Sequence, residues 1–173
     1  MIKTVSDTVL NMALKRKLLL LMCGLSLCAT LLQAQDETPT YPLSQLAESI
    51  ADGPAPLRAD LAHIALTEMA AEYANEAAQA RHEMQRGGKK AGLARWSGEV
   101  QKLANDYASL AVTITQATPI EISTGPDGSL YLYVAGQQVE VSIPRMNEQT
   151  AFEQQVVTRF CSLNRCADLV DVP

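Results

Sequence analysis

The middle of the chain repeats apolar and polar residues with the period of an α-helix. From residue 57 to residue 85 it contains neither Gly nor Pro, and its apolar residues mostly recur at steps of three or four. The pattern predicts a long helix over residues 56–86, which Gly87 and Gly88 end because consecutive glycines destabilise a helix and permit a sharp reversal. A shorter helix over residues 43–51 precedes it.

A second long helix, over residues 91–116, carries a regular apolar seam. Its members follow alternating steps of three and four: Leu93, Trp96, Val100, Leu103, Tyr107, Leu110 and Ile114. Because the connection between the two long helices is short, we expect an antiparallel hairpin in which this seam packs against small residues of the first helix. The alternative is a helical assembly module, in which the seam joins two chains.

After Pro119 the period changes from helical to two, which is typical of strands with one buried face. Three strands are predicted, over residues 119–124, 129–134 and 138–143. Turns rich in Gly join them into an antiparallel β-meander, and a C-terminal helix over residues 148–163 follows. The predicted fold class is α+β, with the helical hairpin, the meander and the C-terminal helix in a single domain of residues 43–173.

The first 34 residues predict a secretory signal peptide. A basic Lys15-Arg16-Lys17 precedes an apolar stretch, residues 18–32, and small Ala34 follows. This stretch is shorter than the roughly 20 apolar residues that a membrane-spanning helix needs. We therefore expect cleavage near Ala34, a mobile leader over residues 35–42, and a mature protein that is periplasmic or secreted.

Two details of the leader stay open. Translation from Met12 instead of Met1 gives a more compact charged region. A lipoprotein needs a cysteine after a small residue, whereas Leu27 precedes Cys28 and Met22 precedes Cys23, so lipidation is disfavoured. We expect contact with a membrane only through the uncleaved precursor.

Removal of the leader makes the chain more acidic. Residues 35–173 hold 10 Lys and Arg against 18 Asp and Glu, a net charge of −8, compared with −5 for the whole chain. This charge repels phosphate backbones, so we expect no binding of nucleic acid. The 139 residues that remain suffice for one domain with its own core.

The mature chain keeps two cysteines, Cys161 and Cys166. An even pair in an oxidising compartment predicts a disulfide. Four residues separate the two cysteines, whereas a redox motif usually has two, and a zinc site needs further ligands. We interpret the pair as structural, with no metal and no cofactor.

Residues for catalysis are sparse. The two histidines, His63 and His82, are 19 residues apart on the first long helix, which separates them by roughly 28 Å at helical rise. We find no motif for a catalytic nucleophile, a phosphate loop or a metal site. Glu68, Glu72 and Glu76 form a carboxylate stripe, which we interpret as a solvated helix face. A small metal-dependent hydrolase that uses this stripe is the enzymatic alternative.

Two surfaces are better candidates for function. The first is a basic cluster at the tip of the hairpin, which suits an anionic envelope component or an acidic patch on a partner: Arg81, Arg86, Lys89, Lys90 and Arg95. The second is the polar face of the meander, where Tyr131 and Tyr133 offer ring surface to a peptide or sugar. The edges of the meander also offer main-chain groups to a partner strand.

These observations together favour a non-enzymatic interaction or adaptor protein of the bacterial envelope. The expected partner is another envelope protein or an anionic component of the envelope. Self-association is the less favoured alternative, because the first long helix provides an internal partner of matching length.

Overall fold

The computed structural model describes residues 41–87, 90–141 and 146–166, with the backbone alone for residues 146–149. These residues form four helices: α1 (Leu43–Ala51), α2 (Ala55–Gln85), α3 (Lys90–Thr113) and α4 (Met146–Asn164). Three strands lie between α3 and α4: β1 (Ile120–Thr124), β2 (Leu130–Val134) and β3 (Gln137–Val141). The predicted α+β fold is confirmed, and the ends of the elements differ from the prediction by at most three residues.

The largest difference in length is at the end of α3, which the sequence predicted to reach residue 116. The helix ends at Thr113, whose hydroxyl donates to the carbonyl oxygen of Leu110 at 2.7 Å. A turn then forms, in which the main-chain N–H of Thr118 donates to the carbonyl oxygen of Thr115 at 2.9 Å. Because Pro119 follows, helical backbone is disfavoured at Thr118, so the chain leaves the helix before this point.

The face of α3 that packs against α2 differs from the predicted seam. The residues of α3 that are buried are mostly small: Ser97, Val100, Ala104 and Ala111. The Ser97 hydroxyl donates to the carbonyl oxygen of Ala77 on α2 at 3.2 Å, so the two helices approach closely there. Small side chains permit this approach, whereas a row of Leu and Trp would hold the helix axes apart.

The large apolar residues of the predicted seam lie at the margin of this contact. Trp96 is 44% exposed and Leu103 is 41% exposed, while Leu110 is half-buried. These three residues recur every seventh position and form a line along α3, which we call the apolar stripe. The prediction that Trp96 and Leu103 pack inside the hairpin was therefore wrong, although Val100 does lie in the contact.

The sheet has the order β1-β2-β3, with both pairs antiparallel. Its buried side chains alternate along the strands as the sequence predicted, with Leu130, Leu132 and Val134 on β2 and Val139 and Val141 on β3. Helices α1 and α2 contact the sheet, and α4 packs against α1 and α2. One apolar core therefore joins the sheet and the helices, and its largest fully buried side chains include Phe152 and Phe160 of α4.

The predicted disulfide between Cys161 and Cys166 is confirmed, with an S–S distance of 2.06 Å. It joins the last turn of α4 to Cys166, the second residue after the helix, and both cysteines belong to the buried core. The cross-link therefore ties the residues that follow α4 back to the end of that helix.

Replacing both cysteines, Cys161→Ala with Cys166→Ala, is expected to lower the free energy of unfolding by about 2 kcal/mol, because the cross-link restricts the unfolded chain over a short loop. Urea unfolding of the double variant and of the oxidised parent measures this difference. The reduced parent serves as the control and should match the double variant closely. Equal stability of the oxidised and reduced parent would contradict a stabilising role for the disulfide.

Candidate functional site

The first edge of the sheet, at β1, is covered. Helix α1 packs along this strand, and the Thr124 hydroxyl donates to the Glu48 carboxylate at 3.1 Å. The Arg58 side chain on α2 donates from Nε to the carbonyl oxygen of Ile120 at 3.0 Å, which occupies an outward-facing acceptor of β1. This edge therefore has little room for a partner strand.

Arg58 also donates to the carbonyl oxygens of Ala51 and Gly53, where α1 ends. Replacing it, Arg58→Met, is expected to lower the free energy of unfolding by about 1–3 kcal/mol, because the substitution leaves these part-buried carbonyls without their donor. Urea unfolding measures the loss. Arg95→Met is the matched control and should leave stability unchanged, since Arg95 is exposed and pairs with Glu99 on the same helix. A similar free energy of unfolding for both variants would show that the hydrogen bonds from Arg58 to these carbonyl oxygens do not stabilise the fold.

The second edge of the sheet, at β3, has main-chain groups that face away from β2. Ala135 and Gly136 connect β2 to β3 with φ values of 50° and 84°, so both residues are left-handed, as in a two-residue type I′ hairpin turn. In such a hairpin the flanking pair, Val134 and Gln137, exchanges both hydrogen bonds, and bonded pairs then alternate along the ladder. The N–H and C=O groups of Gln138 and Glu140 therefore point outward.

Helix α3 supports this assignment of the outward-facing groups. The Tyr107 hydroxyl on α3 donates to the carbonyl oxygen of Glu140 at 3.4 Å, a contact that requires this carbonyl to face away from β2. The Glu140 carbonyl oxygen is therefore contacted from the side of helix α3. A side chain of α3 thus contacts the edge of β3, whereas helix α1 packs along the edge of β1.

A groove of about 510 Å³ separates α3 from this open edge. On the helix side it is lined by Leu103, Asp106, Tyr107, Ser109, Leu110 and Thr113, and on the strand side by Gln137, Gln138, Val139 and Glu140. Two members of the apolar stripe, Leu103 and Leu110, therefore form part of its wall. Its volume lies within the range of clefts that bind ligands.

The groove is acidic and has an aromatic wall. Tyr107 stacks on Tyr73 of α2 with 5.6 Å between ring centroids. Burial, and then the negative charge of Glu140, raise the pKa of the Tyr107 hydroxyl above its ordinary value. Burial is also the main cause that raises the pKa of Tyr73 to about 12. Both phenols therefore stay neutral at physiological pH, and the described lining carries two carboxylates, of Asp106 and Glu140, without a Lys, Arg or His.

The basic cluster at the hairpin tip is partly engaged in contacts within the hairpin. Arg81 donates to the Gln101 side chain at 3.2 Å, and Arg95 donates to the Glu99 carboxylate at 2.8 Å. Arg86 and Lys90 are exposed, where α2 ends and α3 begins, and Lys89 lies outside the described residues. Of the five predicted cations, Arg81 and Arg95 therefore make contacts within the hairpin, and Arg86 and Lys90 are exposed at its tip.

The two tyrosines of β2 lie on the same face of the sheet, opposite the core. Tyr131 and Tyr133 are half-buried, and their neighbours on β3 are Glu140 and Gln138. The Tyr131 ring lies over the turn between β1 and β2, since a Cβ added at Gly125 would approach its Cε2 to 3.0 Å. The tyrosine face is therefore continuous with the strand side of the groove through Gln138 and Glu140.

Two candidate catalytic groups, Glu68 and His63, make structural contacts. Glu68 accepts a hydrogen bond from Arg159 of α4 at 3.3 Å, which ties the carboxylate stripe to that helix. His63 donates from Nδ1 to the carbonyl oxygen of Ala111 at 3.0 Å, near the end of α3. Within the described ranges we find no group of three or more His, Cys, Asp or Glu residues placed to hold a metal ion.

The same ranges contain no helix that is both long enough and apolar enough to cross a membrane. Sequence reasoning missed the groove, although it noted the open strand edges, because Leu103 was assigned to the interior of the hairpin. Three comparisons, with models of known protein families, with curated proteins and with solved structures, found no significant match to this chain.

Proposed function

We propose that the protein is exported to the bacterial envelope and acts there as a non-enzymatic interaction or adaptor module. Its binding site is the groove between α3 and β3. The observation that carries this proposal is the meeting of two binding features at one cavity: the outward main-chain groups of β3 and the apolar stripe of α3.

Each feature by itself favours contact with another protein. An open strand edge is a template for main-chain hydrogen bonds with an added chain. Exposed apolar residues in a row, such as Trp96 and Leu103, lose contact with water when a partner covers them. Their coincidence at a cleft supports binding of a peptide segment more strongly than either feature alone.

Export is supported by the leader and by the cysteines. The basic and apolar segments before Ala34 have the layout of a secretory signal, and the Cys161–Cys166 disulfide suits an oxidising compartment. Both features support a periplasmic or secreted location for the mature chain.

Affinity capture after crosslinking in cells tests the proposed site. The protein carries a C-terminal tag and is compared with Leu103→Asp, which places a charge on the wall of the groove. The matched control is Val112→Asp, because Val112 is also an apolar residue of α3, is 81% exposed, and does not line the groove. A second control, Arg86→Ala with Lys90→Ala, tests the tip of the hairpin.

The proposal predicts a specific partner that is captured by the parent and by both controls and is lost from Leu103→Asp. Loss from the tip variant alone would move the binding site to the hairpin tip. Equal capture by all four proteins would contradict a role for the groove. Circular dichroism of each variant establishes that it is folded.

The seven-residue spacing of the apolar stripe supports a second candidate function, self-association through α3. Light scattering of the oxidised mature protein across a wide concentration range measures it directly. A mass that rises with concentration in the parent and stays monomeric in Leu103→Asp would favour assembly. A constant monomeric mass would exclude assembly over that range.

A further inference from the structure

We propose that a second copy of this chain inserts its Trp96 side chain into the groove, in a two-fold symmetric pairing of antiparallel α3 helices centred on Leu103. The inference rests on the proposed function, because it describes how access to the same groove is regulated. It is carried by the spacing of the apolar stripe, by the lining of the groove and by the charges beside the stripe.

The spacing of the apolar stripe makes an antiparallel pairing self-complementary. Trp96 and Leu110 each lie seven residues from Leu103, which corresponds to about 10.5 Å on either side at helical rise. When Leu103 lies on a two-fold axis between antiparallel helices, Trp96 of each copy is level with Leu110 of the other. The same surface is then used by both copies, as a closed dimer requires.

The groove lies where Trp96 of the second copy arrives. Leu103, Tyr107 and Leu110 line it, whereas Trp96 of the same chain does not. Its volume of about 510 Å³ is within the range of clefts for drug-sized ligands, which are larger than an indole ring. An aromatic ring packs favourably beside Tyr107, and the carboxylate of Asp106 offers an acceptor to the indole N–H. The pairing therefore covers a tryptophan that is 44% exposed in the single chain.

The charges beside the stripe favour antiparallel helices over parallel ones. With 3.6 residues per turn, Lys102 and Asp106 lie on the same side of the stripe, away from the contact with α2, and both are exposed. In the antiparallel pair Lys102 of each copy lies within one turn of Asp106 of the other, whereas a parallel pair would bring like charges together. The nearby carboxylate of Glu99 accepts a hydrogen bond from Arg95 of its own chain at 2.8 Å.

The size of this contact predicts a weak, reversible dimer. Trp96 and Leu110 are about 21 Å apart along the helix, so the stripe is much smaller than the interface of an obligate dimer. A partner that binds the groove more tightly therefore displaces the second copy by mass action. Self-association in this way limits access to the groove when no partner is present.

Light scattering of the oxidised mature protein, at concentrations up to about 1 mM, tests the pairing. We expect a mass that rises towards that of a dimer, with emission of Trp96, the one tryptophan of the chain, shifting to shorter wavelength as it is buried. Trp96→Ala should weaken the dimer about tenfold or more, since a central tryptophan dominates a small interface. Val112→Ala is the matched control and should dimerise as the parent does, because Val112 is an exposed residue of α3 outside the stripe.

Charge reversal tests the antiparallel arrangement. Lys102→Glu or Asp106→Lys alone should weaken the dimer about threefold or more, because each change places two pairs of like charges across the symmetric contact. The double variant, Lys102→Glu with Asp106→Lys, restores opposite charges and should dimerise within about twofold of the parent. Circular dichroism of each variant establishes that it is folded.

The outcomes that contradict the inference are distinct from those that contradict the proposed function. A monomeric mass at every concentration, or a dimer that Trp96→Ala leaves intact, would overturn the inference, and partner capture lost in Leu103→Asp would still support the proposed function. A double charge variant that dimerises no better than the single variants would refute the antiparallel pairing. Capture that is insensitive to Leu103→Asp, with a dimer that depends on Trp96, would refute the proposed function and leave the pairing of α3 helices.

Discussion

Phe160→Ala is expected to lower the free energy of unfolding by about 3–5 kcal/mol, a large part of the stability of a domain of this size. Phe160 is fully buried on α4, in the core that joins this helix to α1, α2 and the sheet. Truncation removes the apolar contacts of the ring and leaves a cavity that the surrounding side chains fill only in part. Urea unfolding followed by circular dichroism measures the loss.

The matched control for this prediction lies on the same helix. Leu163 is 71% exposed, so Leu163→Ala should change the free energy of unfolding by only a few tenths of a kcal/mol. A comparable loss in the two variants would show that α4 does not present Phe160 to the core, and the packing of this helix described above would be wrong.

The second large effect is expected at the contact between the two long helices. Ala104→Leu should lower the free energy of unfolding by about 1–3 kcal/mol, because a larger side chain at this buried position forces α2 and α3 apart. Leu103→Ala, one residue earlier, should change it far less, because Leu103 is 41% exposed beside the contact.

This pair of variants distinguishes the observed packing from the packing that the sequence predicted. If Leu103 lay inside the hairpin, Leu103→Ala would cost about 2–5 kcal/mol and Ala104→Leu would be tolerated on the outer surface. Thermal or urea unfolding of both variants decides between the two arrangements. The same experiment also tests whether Leu103 is available to line the groove.

The order of the elements was predictable because each has a clear period in the sequence. The change from steps of three and four to strict alternation at Pro119 separates helices from strands, and Gly87 with Gly88 separates the long helices. The cysteine pair predicted the disulfide because the chain holds two cysteines after residue 34. These patterns depend on residues that are close in the sequence, so they can be interpreted without knowledge of the tertiary contacts.

The face of α3 that is buried was not predictable from apolar periodicity alone. Two parallel rows share the heptad spacing: one carries the large residues Trp96 and Leu103, and the other carries the small residues Ser97 and Ala104. Hydrophobicity favours the first row, whereas close approach to α2 selects the second. Size complementarity with the facing helix decides the outcome, and it becomes visible only in three dimensions.

The groove could not be predicted from the sequence for a related reason. Its two walls, at Leu103 and at Gln138, are far apart in the chain, and their approach depends on how the hairpin lies beside the sheet. The open edge itself could have been inferred in more detail, since Ala135-Gly136 favours a two-residue turn that fixes which residues of β3 face outward. That α1 and Arg58 cover the other edge could be recognised only from the structure.

Site-specific photocrosslinking in cells shows whether a partner occupies the groove between α3 and β3. A photoreactive amino acid replaces Leu103 or Gln138 on the two walls, or Val112 or Lys90 as exposed controls outside the groove. We expect one protein to be crosslinked from both wall positions and from neither control. Crosslinks to that protein from Lys90 or Val112 alone, or equally from all four positions, would contradict it.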